Sequence, residues 1–127
     1  MARLLVVEDN PTNLELLRYL LTHYGHEVTS ASNGVEGARL TRELRPDIVL
    51  CDLRMPHLDG YGLLERVRAD RALDDIVVIA VTAYSMPDDR KRVREAGFDG
   101  HLTKPIEPDK VVAQIEAFIA AGRRGGG

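Results

Sequence analysis

A single cysteine, Cys51, is all the chain contains, so no internal disulfide can form and nothing requires an oxidising compartment. No apolar stretch approaches the roughly 20 residues that span a bilayer. The N-terminal run from Leu4 to Val7 turns acidic at Glu8 and Asp9, too soon for the apolar core of a secretory signal. Nor does one sign of charge dominate. A formal net charge of -3 and a sequence pI near 5.8 give no bulk attraction to nucleic acid or to an anionic membrane. These absences make a soluble, cytoplasmic chain the expectation, with no membrane insertion and no direct nucleic-acid partner. What is present suffices for one core: 44% apolar residues in a chain of 127, a common size for a single domain.

Short apolar runs alternate with longer amphipathic segments, five times over. The runs are Leu4 to Val7, Glu27 to Ser30, Ile48 to Cys51, Ile76 to Val81 and Gly100 to Thr103. The first, third and fourth are nearly continuous in Val, Ile, Leu and Ala, as strands buried on both faces should be. The second and fifth are mixed, which suits the edges of a sheet. Leu14, Leu17, Leu21 and Tyr24 recur at helical spacing, and Gly25 stands where a helix commonly stops. A second helix over about Val35 to Leu44 must end before Arg45-Pro46. A third follows Gly60 and buries Leu63, Leu64 and Val67. A fourth starts near Pro87 and ends at Gly97, and the last carries Val111, Ile115, Phe118 and Ile119 on one face. Alternating strands and helices imply parallel pairing through right-handed crossovers. The expected fold is therefore α/β, a single doubly wound five-stranded sheet with helices on both faces. Residues 1–121 form the domain, and residues 122–127, rich in Gly and Arg, are expected to be a flexible tail.

In such a sheet, chemistry gathers beyond the carboxyl ends of the strands. The first strand ends in Glu8-Asp9, the third in Asp52 and the fourth in Thr82, and the fifth approaches Lys104. Three carboxylates, a hydroxyl and an ammonium thus share one rim. Carboxylates so placed repel one another unless a cation neutralises them, and Mg²⁺ suits one or two carboxylates, several waters and a phosphate. A carboxylate can also act as the nucleophile and form an aspartyl phosphate. Thr82 can donate to a phosphoryl oxygen and Lys104 can pair with another. Taken singly, each has an ordinary reading: Glu8-Asp9 as a solvated loop or a cap for the helix near Pro11, Asp52 and Thr82 as strand ends, Lys104 as a surface residue.

The segments Leu5-Val6-Val7-Glu8-Asp9-Asn10, Asp47 through Pro56, Asp59-Gly60, Val81-Thr82-Ala83 and Lys104-Pro105 resemble, in order and spacing, the receiver domain of bacterial two-component response regulators. The resemblance runs from about Arg3 to Ala120, and stand-alone receivers and those of hybrid kinases are the most similar. It implies the flavodoxin-like strand order 2-1-3-4-5 with five helices. It also implies that Asp52 accepts a phosphoryl group from a histidine kinase or histidine phosphotransfer protein. Mg²⁺ would be held by Asp9, Asp52 and the backbone carbonyl of Arg54, with Glu8 acting through a water. Thr82 and Lys104 would contact the phosphoryl group, and the Lys104-Pro105 peptide would be cis. The downstream partner would be a protein, and homodimerisation is common in the family. Such a protein is no enzyme beyond its own phosphoryl transfer and dephosphorylation.

One position departs from the family pattern. His101 stands where Tyr or Phe usually turns inward with Thr82 on activation. Two readings are open: a pH-sensitive switch of the fourth helix, fifth strand and last helix, or an exposed histidine without a role. Arg54 and Tyr84 flank the site and can obstruct an in-line water, which implies a phosphoryl lifetime longer than minutes. Arg90-Lys91-Arg92-Val93-Arg94 reads as a solvated helix face. His23 and His26 do not suit a zinc site, His57 is assigned no role, and Cys51 reads as core. A Mg²⁺-dependent aspartate-nucleophile phosphatase would need an aspartate at position 54. A flavin carrier would need a phosphate loop where Glu8 and Asp9 stand. A phosphate-independent binding module would not need the full site.

Overall fold

The computed structural model describes residues 2–55, 57–83 and 87–122. Five strands, β1 (Arg3–Val7), β2 (Glu27–Ala31), β3 (Ile48–Asp52), β4 (Val77–Thr82) and β5 (Gly100–Thr103), alternate with five helices. These are α1 (Pro11–His23), α2 (Gly34–Leu44), α3 (Gly60–Arg68), α4 (Pro87–Ala96) and α5 (Pro108–Ala121). All strand pairs are parallel, in the order β2-β1-β3-β4-β5. The expected fold class and strand order both hold. The mixed strands, β2 and β5, take the two edges.

Strand alternation divides the core in two. Leu5, Val7, Val49, Cys51, Val78 and Ala80 face α2, α3 and α4, packing on Leu63, Leu64, Val67 and Val93. Leu4, Val6, Ile48, Leu50, Val77, Ile79 and Val81 face α1 and α5, packing on Leu17, Leu21, Val111 and Ile115. Cys51 is wholly buried, as its apolar neighbours suggest. Tyr24 is the exception to the α1 stripe. The helix ends at His23, the chain turns through Gly25 at φ 88, and the Tyr24 ring is left 60% exposed. Arg45 closes α2 in the left-handed conformation just before Pro46. A 3₁₀ turn at Arg71–Leu73, capped by Asp70, has no counterpart in the apolar pattern.

The amino end of the sheet is braced by a buried ion pair. Asp99 accepts from the Arg68 guanidinium and from the Val78 amide, both at 2.9 Å, and Arg68 also donates to the Ile76 carbonyl. Asp99→Ala removes the carboxylate partner of the half-buried Arg68 guanidinium and the side-chain acceptor of the buried Val78 amide, so we expect a loss of about 3 kcal/mol in urea denaturation. Asp52 and Thr82 lie on the opposite rim, away from this brace. A loss below 1 kcal/mol would show the brace to be dispensable.

Candidate functional site

Strand ends deliver the site residues to the carboxyl edge of the sheet. The ladder continues one residue past β1, the Glu8 amide donating to the Ala31 carbonyl at 3.0 Å. Glu8 therefore points inward and is 3% exposed, whereas Asp9 is exposed on the rim. Neither carboxylate caps α1. Asn10 does so, its side chain accepting from the Thr12 and Asn13 amides at 2.9 and 3.1 Å, as a residue before Pro11 can. Neither acidic side chain is spent on the helix: Asp9 lines the cleft and Glu8 lies buried behind it. Asp52 ends β3 and Thr82 ends β4, each buried. Lys104 follows β5, its amide bonded to the Thr82 carbonyl at 2.8 Å, and the Lys104-Pro105 peptide is cis.

These residues meet. Lys104 Nζ lies 2.7 Å from Asp52 Oδ2 and 3.2 Å from Glu8 Oε1. The Arg54 amide donates to Asp52 Oδ1 at 3.1 Å, and the Asn10 amide to Glu8 Oε2 at 3.3 Å. An open cleft of about 500 Å³ is lined by Asp9, Asp52, Arg54, Thr82, Ala83 and Lys104, with Asn10, Pro11 and Leu53 completing it. Asn10 and Pro11 are site residues that the reading for carboxylates passed over. Asn10 closed the first motif and Pro11 marked the start of a helix, but neither signal disclosed a place in the wall of the cleft.

The charges are strained against one another. Burial, followed by the hydrogen bond and charge of Asp52, pushes the Glu8 carboxyl up from 4.5 to about 7. Burial also opposes the charge on Lys104, but its hydrogen bonds to and attraction by Asp52 and Glu8 outweigh that and hold its pKa above the ordinary value. Glu8, Asp9 and Asp52 place one carboxylate oxygen each within 4.8 Å of one another. Three hard oxygen donors around a partly neutralised centre fit a divalent cation of the Mg²⁺ type.

His101 lies elsewhere. It sits half-buried on β5 in register with Ala80 of β4, whose face of the sheet packs against α4, and it lines no part of the acidic cleft. Burial, and then the charge of Arg90 on α4, lower its pKa from 6.5. His26 is structural, accepting from the Ala2 amide and pairing with Glu116 of α5 at 2.9 Å. Tyr84 lies outside the described residues. Among those residues no helix is long and apolar enough to cross a membrane.

A doubly wound sheet of this order, with a carboxylate-lined cleft at its carboxyl edge, defines a receiver-type α/β domain. The chain belongs to the response regulator receiver domain family, which matches residues 4–116. Receivers are the phosphoacceptor modules of two-component signalling, signalling proteins and not classical enzymes. Among relatives, the polar-differentiation response regulator DivK of Brucella anthropi is 36% identical over 115 residues, 91% of this chain and 94% of that one. A putative response regulator from Chloroflexus aurantiacus superposes with TM-score 0.87 at 32% identity, covering 94% of this chain and 98% of that one. The receiver domain of a Pseudomonas aeruginosa sensor histidine kinase superposes with TM-score 0.85 at 31% identity over 94% and 98% of the two chains. That structure holds a magnesium ion coordinated in its active site cleft, and the Glu8, Asp9 and Asp52 cluster fits such a site.

Proposed function

We propose that Asp52 is the phosphoacceptor of this receiver, taking its phosphoryl group from a phosphohistidine on a kinase or phosphotransfer protein. The observation that carries the reading is the meeting of Asp52 with Lys104 at 2.7 Å, on a cleft that Asp9 and Thr82 share. A carboxylate oxygen of Asp52 attacks phosphorus, forming a P–O bond as the P–N bond of the donor breaks and the imidazole leaves with its electron pair. Lys104 supplies fixed positive charge to the phosphoryl oxygens and Thr82 a hydroxyl donor. The Arg54 amide holds the carboxylate from the other side. Glu8, Asp9, Asp52 and the Arg54 carbonyl would hold Mg²⁺, which when bound neutralises charge on the transferring group. With Arg54 two residues past Asp52, the chain lacks the second aspartate of an aspartate-nucleophile phosphatase.

The working unit is residues 1–121, and its output is a protein-binding change across α4, β5 and α5, open to a homodimer as well as a separate target. His101 occupies the switch position there, with Thr82 as its partner. Its lowered pKa keeps the ring neutral at pH 7, so any pH sensitivity of switching falls below about pH 6.5. We expect the His101 ring resonances to titrate below 6.5 in NMR and to move on phosphorylation. Titration at or above 6.5, with no response to phosphorylation, would remove His101 from the switch.

The reading is tested by phosphoryl transfer from an autophosphorylated histidine kinase or a loaded phosphotransfer protein. Label should pass to the wild type and not to Asp52→Asn. Labelling of Asp52→Asn at the wild-type rate would place the acceptor elsewhere.

A further inference from the structure

The chain leaves Asp52, forms a loop and returns to it. At the near end, the Leu53 amide donates to the Val81 carbonyl at 3.2 Å, and the Gly60 amide donates to the Leu53 carbonyl at 3.1 Å. A Cβ on Gly60 would stand 2.7 Å from the Asp52 carbonyl oxygen, so the return strand of the loop is packed hard against the acceptor's own backbone. Between these anchors, the Arg54 amide is aimed at Asp52 Oδ1. The far end of the loop is held by Leu58. It is half-buried and packs against the α2–α3–α4 face of the core.

The seat of Leu58 is built from two glycines on different helices. A Cβ on Gly34, the first residue of α2, would strike the Leu58 carbonyl oxygen and lie 2.8 Å from the Leu58 Cβ. A Cβ on Gly62 of α3 would strike Leu58 Cδ1 and lie 3.1 Å from Cγ. One glycine therefore admits the backbone of Leu58 and the other its side chain. Directly before it, His57 has φ 70, a left-handed conformation that a non-glycine residue keeps only when its surroundings hold it there. A close-fitting seat beside a strained turn is a clamp.

We infer that Leu58 is a positioning residue for the receiver site. Seated between Gly34 and Gly62, it holds the β3–α3 loop so that Arg54 presents its amide to Asp52 and its carbonyl to the metal position. Leu58 lines no part of the acidic cleft and acts only through the loop. The inference rests on the reading of Asp52 and Arg54 given above. Its physical basis is general: groups that orient a ligand set govern affinity as the ligands do.

The test compares wild type, Leu58→Ala, Leu58→Met and Gly62→Ala. The last meets mainly the tip of the Leu58 side chain, so it is the variant most certain to fold. Two quantities are read: the Mg²⁺ Kd by calorimetry, and hydrogen exchange of the Arg54 amide in the metal-free protein. Leu58→Ala should weaken Mg²⁺ about 10-fold and speed Arg54 exchange by a similar factor, with Gly62→Ala moving both in the same direction. Leu58→Met, of similar volume, should restore wild-type values within about 3-fold. A fall in Tm with unchanged Kd and unchanged Arg54 exchange would overturn the inference and leave Leu58 a packing residue. Should the wild type fail to bind Mg²⁺, the metal reading falls on its own. Unchanged Arg54 exchange would then overturn the clamp as well, whereas faster exchange would support it.

Discussion

In the metal-free protein at pH 8, Glu8→Gln should raise stability by about 2 kcal/mol while weakening Mg²⁺. Burial and Asp52 push Glu8 to about 7 from 4.5, so ionising it in the folded state costs roughly 3 kcal/mol at 1.36 kcal/mol per pH unit. That net cost already contains the attraction of Lys104 at 3.2 Å, and glutamine recovers about 2 kcal/mol of it because its own amide must still be desolvated at the buried position. The pH dependence has a definite sign. Between about pH 4.5 and 7 the folded chain binds more protons than the unfolded chain at this position, so stability falls as pH rises through that window and is level above it. Glu8→Gln lacks the Glu8 contribution to that slope. Urea denaturation in EDTA at pH 5, 6, 7 and 8 reads both quantities, and equal slopes for the two proteins would contradict the account. Because Mg²⁺ needs the ionised carboxylate, wild-type affinity should also rise over the same window.

Lys104→Met should separate binding from transfer. Lys104 bridges Glu8 and Asp52 with its ammonium, so it competes with a metal for the same oxygens. Removing it leaves the carboxylates more negative, and Mg²⁺ should bind at least as tightly as before. Phosphorylation should nonetheless slow on the order of 100-fold, the usual cost of deleting one pre-placed group that stabilises developing charge. Lys104→Arg should not restore the rate, because a planar fork does not replace a compact ammonium held at 2.7 Å. The pair of measurements is a Mg²⁺ titration and the rate of mass gain at saturating Mg²⁺. Parallel losses in both would make Lys104 a structural pin instead.

The contrast between these two residues shows what the sequence could and could not disclose. Continuous apolar runs in β3 and β4 and mixed ones in β2 and β5 were enough to tell the centre of the sheet from its edges, because burial on two faces leaves no polar alternation. The full strand order came from the resemblance to receiver domains. The same runs placed Asp52 and Thr82 at strand ends. They did not say which of Glu8 and Asp9 is buried. That depends on one further ladder bond, Glu8 to Ala31, formed with a strand on the far side of α1. Asn10 as the cap of α1 is a local signal that the acidic pair obscured. Tyr24 continued the α1 stripe by spacing, but spacing carries no meaning past the residue where the helix stops. The place of His101 outside the acidic cleft and within reach of Arg90 of α4, and the seating of Leu58 between Gly34 and Gly62, arise only when α2, α3 and α4 are packed on the sheet. No local pattern announces them.

The most direct test of the central claim is intact mass after incubation with acetyl phosphate, with Mg²⁺ or with EDTA, for wild type and Asp52→Asn. The account predicts a single phosphoryl gain in the wild type with Mg²⁺, and none with EDTA or in Asp52→Asn. A gain that persists in Asp52→Asn, or that EDTA leaves untouched, would contradict it.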